Sequence, residues 1–451
     1  MSASLHFAEA LLPSGWARDV RIEITGGRIG RIETGVPAQS GDQRHTVALP
    51  GLPNLHSHAF QRGMAGLAER RGASADSFWT WREAMYRFVD RIGPDDLQAI
   101  AAMAYTEMLE GGFARVGEFH YLHHAPDGSA YAGAAMAEAI TAAAAETGIG
   151  LTLLPVFYAH SGFGGQAAGP GQRRFVCGLD QFARLREASG TGLAVLPDGV
   201  LGLAPHSLRA VTPDELSNLS AMAGTGPIHI HVAEQQGEVS DCLAWSGARP
   251  AEWLLGNAAV GSRWCLIHAT HITAQESDEL AASGAVAGLC PITEANLGDG
   301  LFPAPRFIAA GGRWGIGSDS NVKIDAAEEL RWLEYGQRLG TQARNVFAGE
   351  PGASTGGALY SAALSGGAQA LGAPMGLATG NSADFLTLDA EHPSLIAASG
   401  DGWLDRLIFA AGRSAIDGVW RQGVQVVAGG RHRDRETIAA RYRTVLAKLL
   451  A

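Results

Sequence analysis

Four short clusters set residues able to bind a metal or move a proton at close spacing: Leu55-His56-Ser57-His58, His229-Ile230-His231-Val232-Ala233-Glu234, Ile267-His268-Ala269 and Gly317-Ser318-Asp319. In an extended strand the side chains at i and i+2 share a face, so His56 and His58 can close on one ion. An HxH pair alone is a weak signal. It gains weight because His231, Glu234, His268 and Asp319 also stand at or just past the ends of apolar runs of strand length. Imidazole nitrogens and a carboxylate oxygen suit zinc, which lowers the pKa of a bound water to about 7 and so provides a nucleophile near neutral pH. A carboxylate close by can act as general acid or base. The chemistry indicated is metal-assisted hydrolysis. His229 shares the inward face with His231 and reads as a packed supporting histidine, not a further ligand. His120, His123 and His124 follow another apolar run, where lining a pocket and a solvated or helix-capping role are both open.

Residues spread over four segments need a fold that gathers strand ends. Eight apolar runs, at 47–55, 114–119, 149–157, 200–204, 227–232, 264–267, 287–290 and 314–317, alternate with stretches such as 94–110, 213–223 and 273–282 that carry helix-start residues and helical spacing. That alternation predicts a parallel sheet, and eight strands fit a closed (β/α)8 TIM-type barrel, whose active sites lie at the C-terminal strand ends. The termini differ: residues 20–24 and 28–32 alternate around Gly26-Gly27 as a hairpin, and strand texture returns at 383–388 and 419–427. We therefore expect residues 1–47 with 381–430 to form a small β-sandwich-like domain, 48–380 the catalytic barrel, and 431–451 a C-terminal helix.

A chain of 451 residues, 46% hydrophobic and 18% charged, can bury a large core beside a smaller one. Its net charge of −11 argues against a nucleic-acid partner, which needs a basic face, although local arginines can still meet an anion. Cys177, Cys242, Cys265 and Cys290 lie far apart without CxxC spacing, so neither a disulfide framework nor a thiolate zinc site is expected. No basic stretch followed by an apolar core opens the sequence and no apolar run reaches membrane-spanning length, so a cytoplasmic protein without a membrane partner is expected.

In this order the clusters resemble those of the amidohydrolase superfamily, in its single-metal deaminase branch, and the likeness spans essentially the whole chain. The resemblance implies one zinc per chain held by His56, His58 and His231, with Asp319 as fourth ligand or base beside the activated water. It implies that His268 hydrogen-bonds that water and that Glu234 carries protons to the substrate nitrogen. Members with two metals usually bridge them with a carboxylated lysine from the fourth strand; the lysines here are Lys323 and Lys448 alone, so a one-metal site is expected. The HxE and PCxxC signature of the unrelated cytidine-deaminase fold is absent.

The loops narrow the resemblance. HSHAFQRGMAGLAE from residue 56, DSFWTWREAMYR from residue 76 and PHSLR from residue 205 are similar to the formimidoylglutamate deiminase family of bacterial histidine degradation. The implied reaction is hydrolysis of N-formimino-L-glutamate to N-formyl-L-glutamate and ammonia. Gln61, Arg82, Tyr121, His206 and Arg209 would hold the two carboxylates of this dianion, for which planar arginine forks are suited. Arg82 could instead form a surface salt bridge on a helix starting near Trp79. A homodimer is a habit of the family. Two other readings stay open: a nucleobase or nucleoside aminohydrolase, whose pocket would favour aromatic and amide contacts over arginines, and a catalytically silent scaffold, which would have no need of His231, His268 and Asp319 together.

Overall fold

The apolar run expected as one strand at 47–55 is divided at Gly51 into two strands of different sheets, Gln43–Pro50 and Leu52–Ser57 (β1). A Cβ at residue 51 would lie 2.4 Å from that of Ala114, so the crossing needs glycine. The sequence pattern hides the break because the residues on both sides of it are buried. The computed structural model describes residues 2–69, 71 and 78–451.

The further barrel strands are Phe113–His120 (β2), Gly150–Phe157 (β3), the short pieces Val200–Leu201 and Ala204–Pro205 (together β4), Ile228–Val232 (β5), Trp264–His268 (β6), Val286–Leu289 (β7) and Arg313–Ile316 (β8). Strands β1 to β4 pair in parallel in chain order, as do β5 to β8. Parallel bridges from Leu203 to Ile228 and from Ser207 to His231 join the halves at one seam, and one from Ser57 to Asp319 joins them at the other. The described strands thus close into a TIM-type (β/α)8 barrel. Strands covered on both faces read as nearly continuous apolar runs, which made them visible in the sequence. The intervening helices start where their chemistry says. Thr212 with Glu215 and Thr273 with Glu276 form capping boxes ahead of Pro213–Met222 and Ala274–Ser283.

Helix Thr355–Ala370 closes the barrel floor. It packs against backbone there: a Cβ at Gly366 would fall 1.9 Å from the carbonyl oxygen of Trp314, and one at Gly367 would fall 2.4 Å from Pro53. A helix end leaves its last carbonyls without partners. Here His229 donates to the carbonyl of Ala370 at 2.8 Å and Thr152 to that of Leu371 at 2.9 Å, below an apolar plug that includes Leu55, Cys265 and Ile267.

The terminal segments form a single curled sheet. Strand Gln43–Pro50 joins its halves, running parallel to Ser2–Leu12 and antiparallel to Phe385–Leu388. The hairpin Gly15–Thr25 with Arg28–Glu33 and the hairpin Ile416–Arg421 with Val424–Ala428 extend it on either side. Strand Ser2–Leu12 was not expected, since SASLHFAEALL lacks strict alternation. The sheet encloses its own core, in which the Phe385 and Trp420 rings stack 4.9 Å apart. Buried ion pairs clamp it to the barrel: Arg115 of β2 and Arg421 both meet Asp198, at 2.7 and 2.6 Å, and Arg421 also meets Asp384. Helix Arg435–Leu450 lies along Pro94–Glu110, with Lys448 2.8 Å from Asp96. Among the described residues no helix is long and apolar enough to cross a membrane.

Candidate active site

Strand ends bring His56 and His58 from β1, His231 from β5 and Asp319 from beyond β8 together, with candidate ligand atoms within 4.8 Å of one another and all four residues buried. His56 Nε2 lies 3.0 Å from His231 Nε2, and Asp319 Oδ1 lies 3.4 and 3.3 Å from the Nε2 atoms of His56 and His58. The outer ring nitrogens set the tautomers. Nδ1–H of His58 donates to the carbonyl of Phe119 at 2.9 Å, and Nδ1–H of His231 to that of His206 at 3.0 Å, which leaves each Nε2 lone pair facing inward. Lone pairs facing at such distances repel unless a cation lies between them. The edges of a tetrahedron with zinc-length bonds measure about 3.3 Å, so the four residues fit one divalent ion. Burial pulls His56 down to about 3, against the opposing pull of Asp319, and lowers His58 and His231 as well. The imidazoles are therefore neutral, as ligands must be. Burial pushes Asp319 up, but its contacts with His56, His58 and His268 outweigh it and hold the carboxyl below its ordinary range.

The backbone at these strand ends is unusual. Ala233, His268 and Asp319 have φ of +50°, +67° and +44°, left-handed conformations that non-glycine residues seldom adopt. Asn321 secures the last of them: its Nδ2 donates to the carbonyls of His58 and Asp319, each at 3.1 Å. Asn54 accepts the N–H of Ser318 at 3.0 Å, so the seam between β1 and β8 is pinned where the ligands leave it.

His268 turns Nδ1 toward Glu294 at 3.2 Å, while its Nε2 lies 3.8 Å from Glu234 and 3.9 Å from Asp319. Burial alone would lower His268, but Glu234, Glu294 and Asp319 together raise it, favouring the charged imidazolium. Burial pushes Glu234 up to about 7, with His268 and Arg209 opposing. A carboxyl poised there can accept and return a proton at neutral pH.

One cavity is lined by His58, His231, Glu234, His268 and Asp319, and also by Gln61, Arg82, Tyr121, His206 and Arg209. Nε2 of Gln61 donates to the Tyr121 hydroxyl at 3.0 Å, leaving the phenolic proton free to donate. Gln61 Oε1 is buried without a hydrogen-bond partner. Arg82, on helix Phe78–Val89, lies 5.7 Å above the Tyr86 ring and faces the cavity. Burial and then the charge of Arg209 keep His206 neutral. Burial disfavours the Arg209 charge, but Glu238 and Glu234 outweigh it. Asp76 and Ser77 of the second loop motif lie outside the described residues.

A family model described as "Amidohydrolase family" matches residues 47–427, and a formimidoylglutamate deiminase of Pseudomonas aeruginosa is 52% identical over 98% of this chain and 99% of its own. The chain belongs to the amidohydrolase family, among its formimidoylglutamate deiminases. As an amidohydrolase it is a hydrolase of C–N bonds. A second model, "Formimidoylglutamate deiminase HutF, N-terminal domain", matches residues 3–46. Among solved structures, an amidohydrolase from Brucella melitensis superposes over 100% of both chains with a TM-score of 0.97 and 56% identity. An adenosine deaminase from Xanthomonas campestris with bound zinc superposes with a TM-score of 0.82 over 99% of this chain and 98% of its own, at 21% identity, and shares the fold.

For this amidohydrolase, sequence reading missed Glu294, which contacts His268, and Tyr158, Tyr86, Phe175 and Trp81, which line the cavity. Tyr158 directly follows β3, and Glu294 sits in the short helix Pro291–Leu297 after β7, so the strand-end rule applied to every strand would have found both. His120, His123 and His124 do not line the cavity, and none is solvated or capping. His123 and His124 bond the carbonyls of Val156 and Val176 at 2.8 and 2.9 Å and pin the loop after β2.

Proposed function

We propose that this amidohydrolase hydrolyses N-formimino-L-glutamate to N-formyl-L-glutamate and ammonia, as in histidine degradation, with one zinc per chain. His56, His58, His231 and Asp319 would hold the ion, a set of three nitrogens and one oxygen that suits zinc. When bound, zinc supplies Lewis acidity and a water acidified toward neutral pH. Glu234 takes a proton from the water that attacks the formimino carbon and passes it to the formimino nitrogen; it then carries the second proton of that water, from the new hydroxyl, to the same nitrogen, so that the C–N bond breaks, the formyl C=O forms and ammonia leaves. His268, held charged by its carboxylate neighbours, steadies the attacking oxygen. Arg82 and Arg209, with Gln61, Tyr121 and His206, grip the two carboxylates. Residues 48–380 carry this chemistry in the proposal, while residues 1–47 with 381–430 and the helix of 431–451 frame it. The four cysteines are buried and unpaired, which fits a cytoplasmic enzyme.

The observation that carries the reading is that two guanidinium groups share one cavity with the three-histidine, one-aspartate group. A nucleobase pocket has no use for both. The test is ammonia release from N-formimino-L-glutamate beside guanine, adenosine, S-adenosylhomocysteine and the formimino derivative of a neutral amino acid. The dianion should be preferred by orders of magnitude. Equal turnover of the neutral derivative would remove the arginines from recognition, and preference for a nucleoside would replace the reading.

A further inference from the structure

Glu238 is the third residue of helix Gln236–Ser246 and is wholly buried, yet it does not line the cavity. Its carboxylate reaches back over the turn that follows β5. Oε1 accepts the N–H of Ala233 and Oε2 the N–H of Glu234, both at 3.1 Å. Ala233 is the residue held at φ +50°, and that turn decides where the Glu234 side chain leaves the backbone. A buried carboxylate bonded to two consecutive N–H groups is a strong way to hold a turn an alanine would otherwise leave. The same carboxylate is one of the two charges that keep buried Arg209 ionised, Glu234 being the other. Arg209 and Glu234 both face the cavity.

We propose that Glu238 is a positioning residue for proton transfer, coupled to the catalytic carboxyl through the backbone: it fixes the turn that aims Glu234. This rests on the function proposed above. Glu238→Gln keeps the size of the side chain but sets an NH₂ group against one of the two N–H donors, so the turn relaxes and Glu234 is displaced. Glu238→Asp keeps the charge and is one methylene too short to bridge both N–H groups.

Steady-state kinetics of the metal-loaded enzyme with N-formimino-L-glutamate, beside metal content and thermal midpoint, test this. For Glu238→Gln, kcat should fall about 10- to 100-fold, the range for supports behind a catalytic group, with KM unchanged. For Glu238→Asp, kcat should fall with KM unchanged. A merely structural lesion would raise KM, lower the thermal midpoint and shed metal. The proposal is overturned if Glu238→Gln keeps kcat within about threefold of wild type, or if its KM rises together with loss of metal. Should Glu238→Gln not fold, Glu238→Asp decides, and a normal kcat there overturns the proposal. A metal-loaded wild type inactive toward N-formimino-L-glutamate would overturn the functional reading and this coupling with it; an active wild type beside an unaffected Glu238→Gln overturns the coupling alone.

Discussion

His229 and His231 lie two residues apart on β5, on the same face of the same strand, both buried and both kept neutral by burial, His229 at about 4. Their surroundings make them different instruments. At the floor, His229 meets the end of helix Thr355–Ala370 and donates to an orphan carbonyl, so its work ends in a satisfied hydrogen bond. At the mouth, His231 spends its Nδ1–H on the carbonyl of His206 and turns a lone pair toward His56 and Asp319. Residue type and strand period put both rings in the barrel. Which end of the barrel each reaches decides whether it acts as donor or ligand.

The largest effect is expected at the mouth. His231→Asn should leave the chain folded but empty of metal, with turnover at background, because only two of the three histidine ligands then remain beside Asp319. Metal analysis beside circular dichroism checks this, and a variant that keeps one ion per chain would remove His231 from the ligand set. Next in size come the groups beside the ligands. Glu234→Gln and His268→Asn should retain metal while turnover falls about 10²- to 10⁴-fold, the range for losing a general acid or base. Either variant with near-normal turnover loses its assigned role. Arg209→Ala should keep both metal and fold but cut kcat/KM about thirtyfold to several thousandfold, the cost of leaving a buried charge pair half empty. It should also discriminate less than wild type against the neutral formimino derivative, and unchanged discrimination would place the carboxylate elsewhere.

The difference between floor and mouth also explains what the sequence could tell. The barrel strands were legible because both faces of each are buried, and the residues now gathered at the mouth were legible because each ends such a run. Where burial is equally continuous but the chain changes sheets, as at Gly51, the pattern carries no mark, and only the close approach of Ala114 reveals it. Ser2–Leu12 was hidden for the opposite reason, since it lacks the alternation that a strand with one covered face usually shows. Glu294 and Glu238 were missed because they act through contacts that spacing does not encode: one meets a histidine 26 residues away, the other bonds backbone N–H groups behind it. The floor role of His229 depends on a carbonyl 141 residues distant.

The smallest effect is expected at that floor. His229→Phe keeps a flat ring of similar size but removes the donor, leaving the carbonyl of Ala370 buried without a partner. Such a loss costs on the order of 1–3 kcal/mol. Part of it is offset because His229 Nδ1 is itself buried without a hydrogen-bond partner, and phenylalanine has no polar atom there to leave unsatisfied. Thr152→Val removes the neighbouring donor, to Leu371, with almost no change of shape, and should cost about 1 kcal/mol. Denaturant unfolding of both variants measures these costs, while metal content should stay at one ion per chain and kcat/KM within about twofold of wild type. The plug between floor and mouth, with Leu55, Cys265 and Ile267, is apolar apart from weakly bonding thiols, so a lost hydrogen bond below has little through which to reorient a ligand above. Loss of metal or a tenfold fall in turnover in His229→Phe would mean that the two ends of the barrel form one network, and that the division between His229 and His231 is wrong.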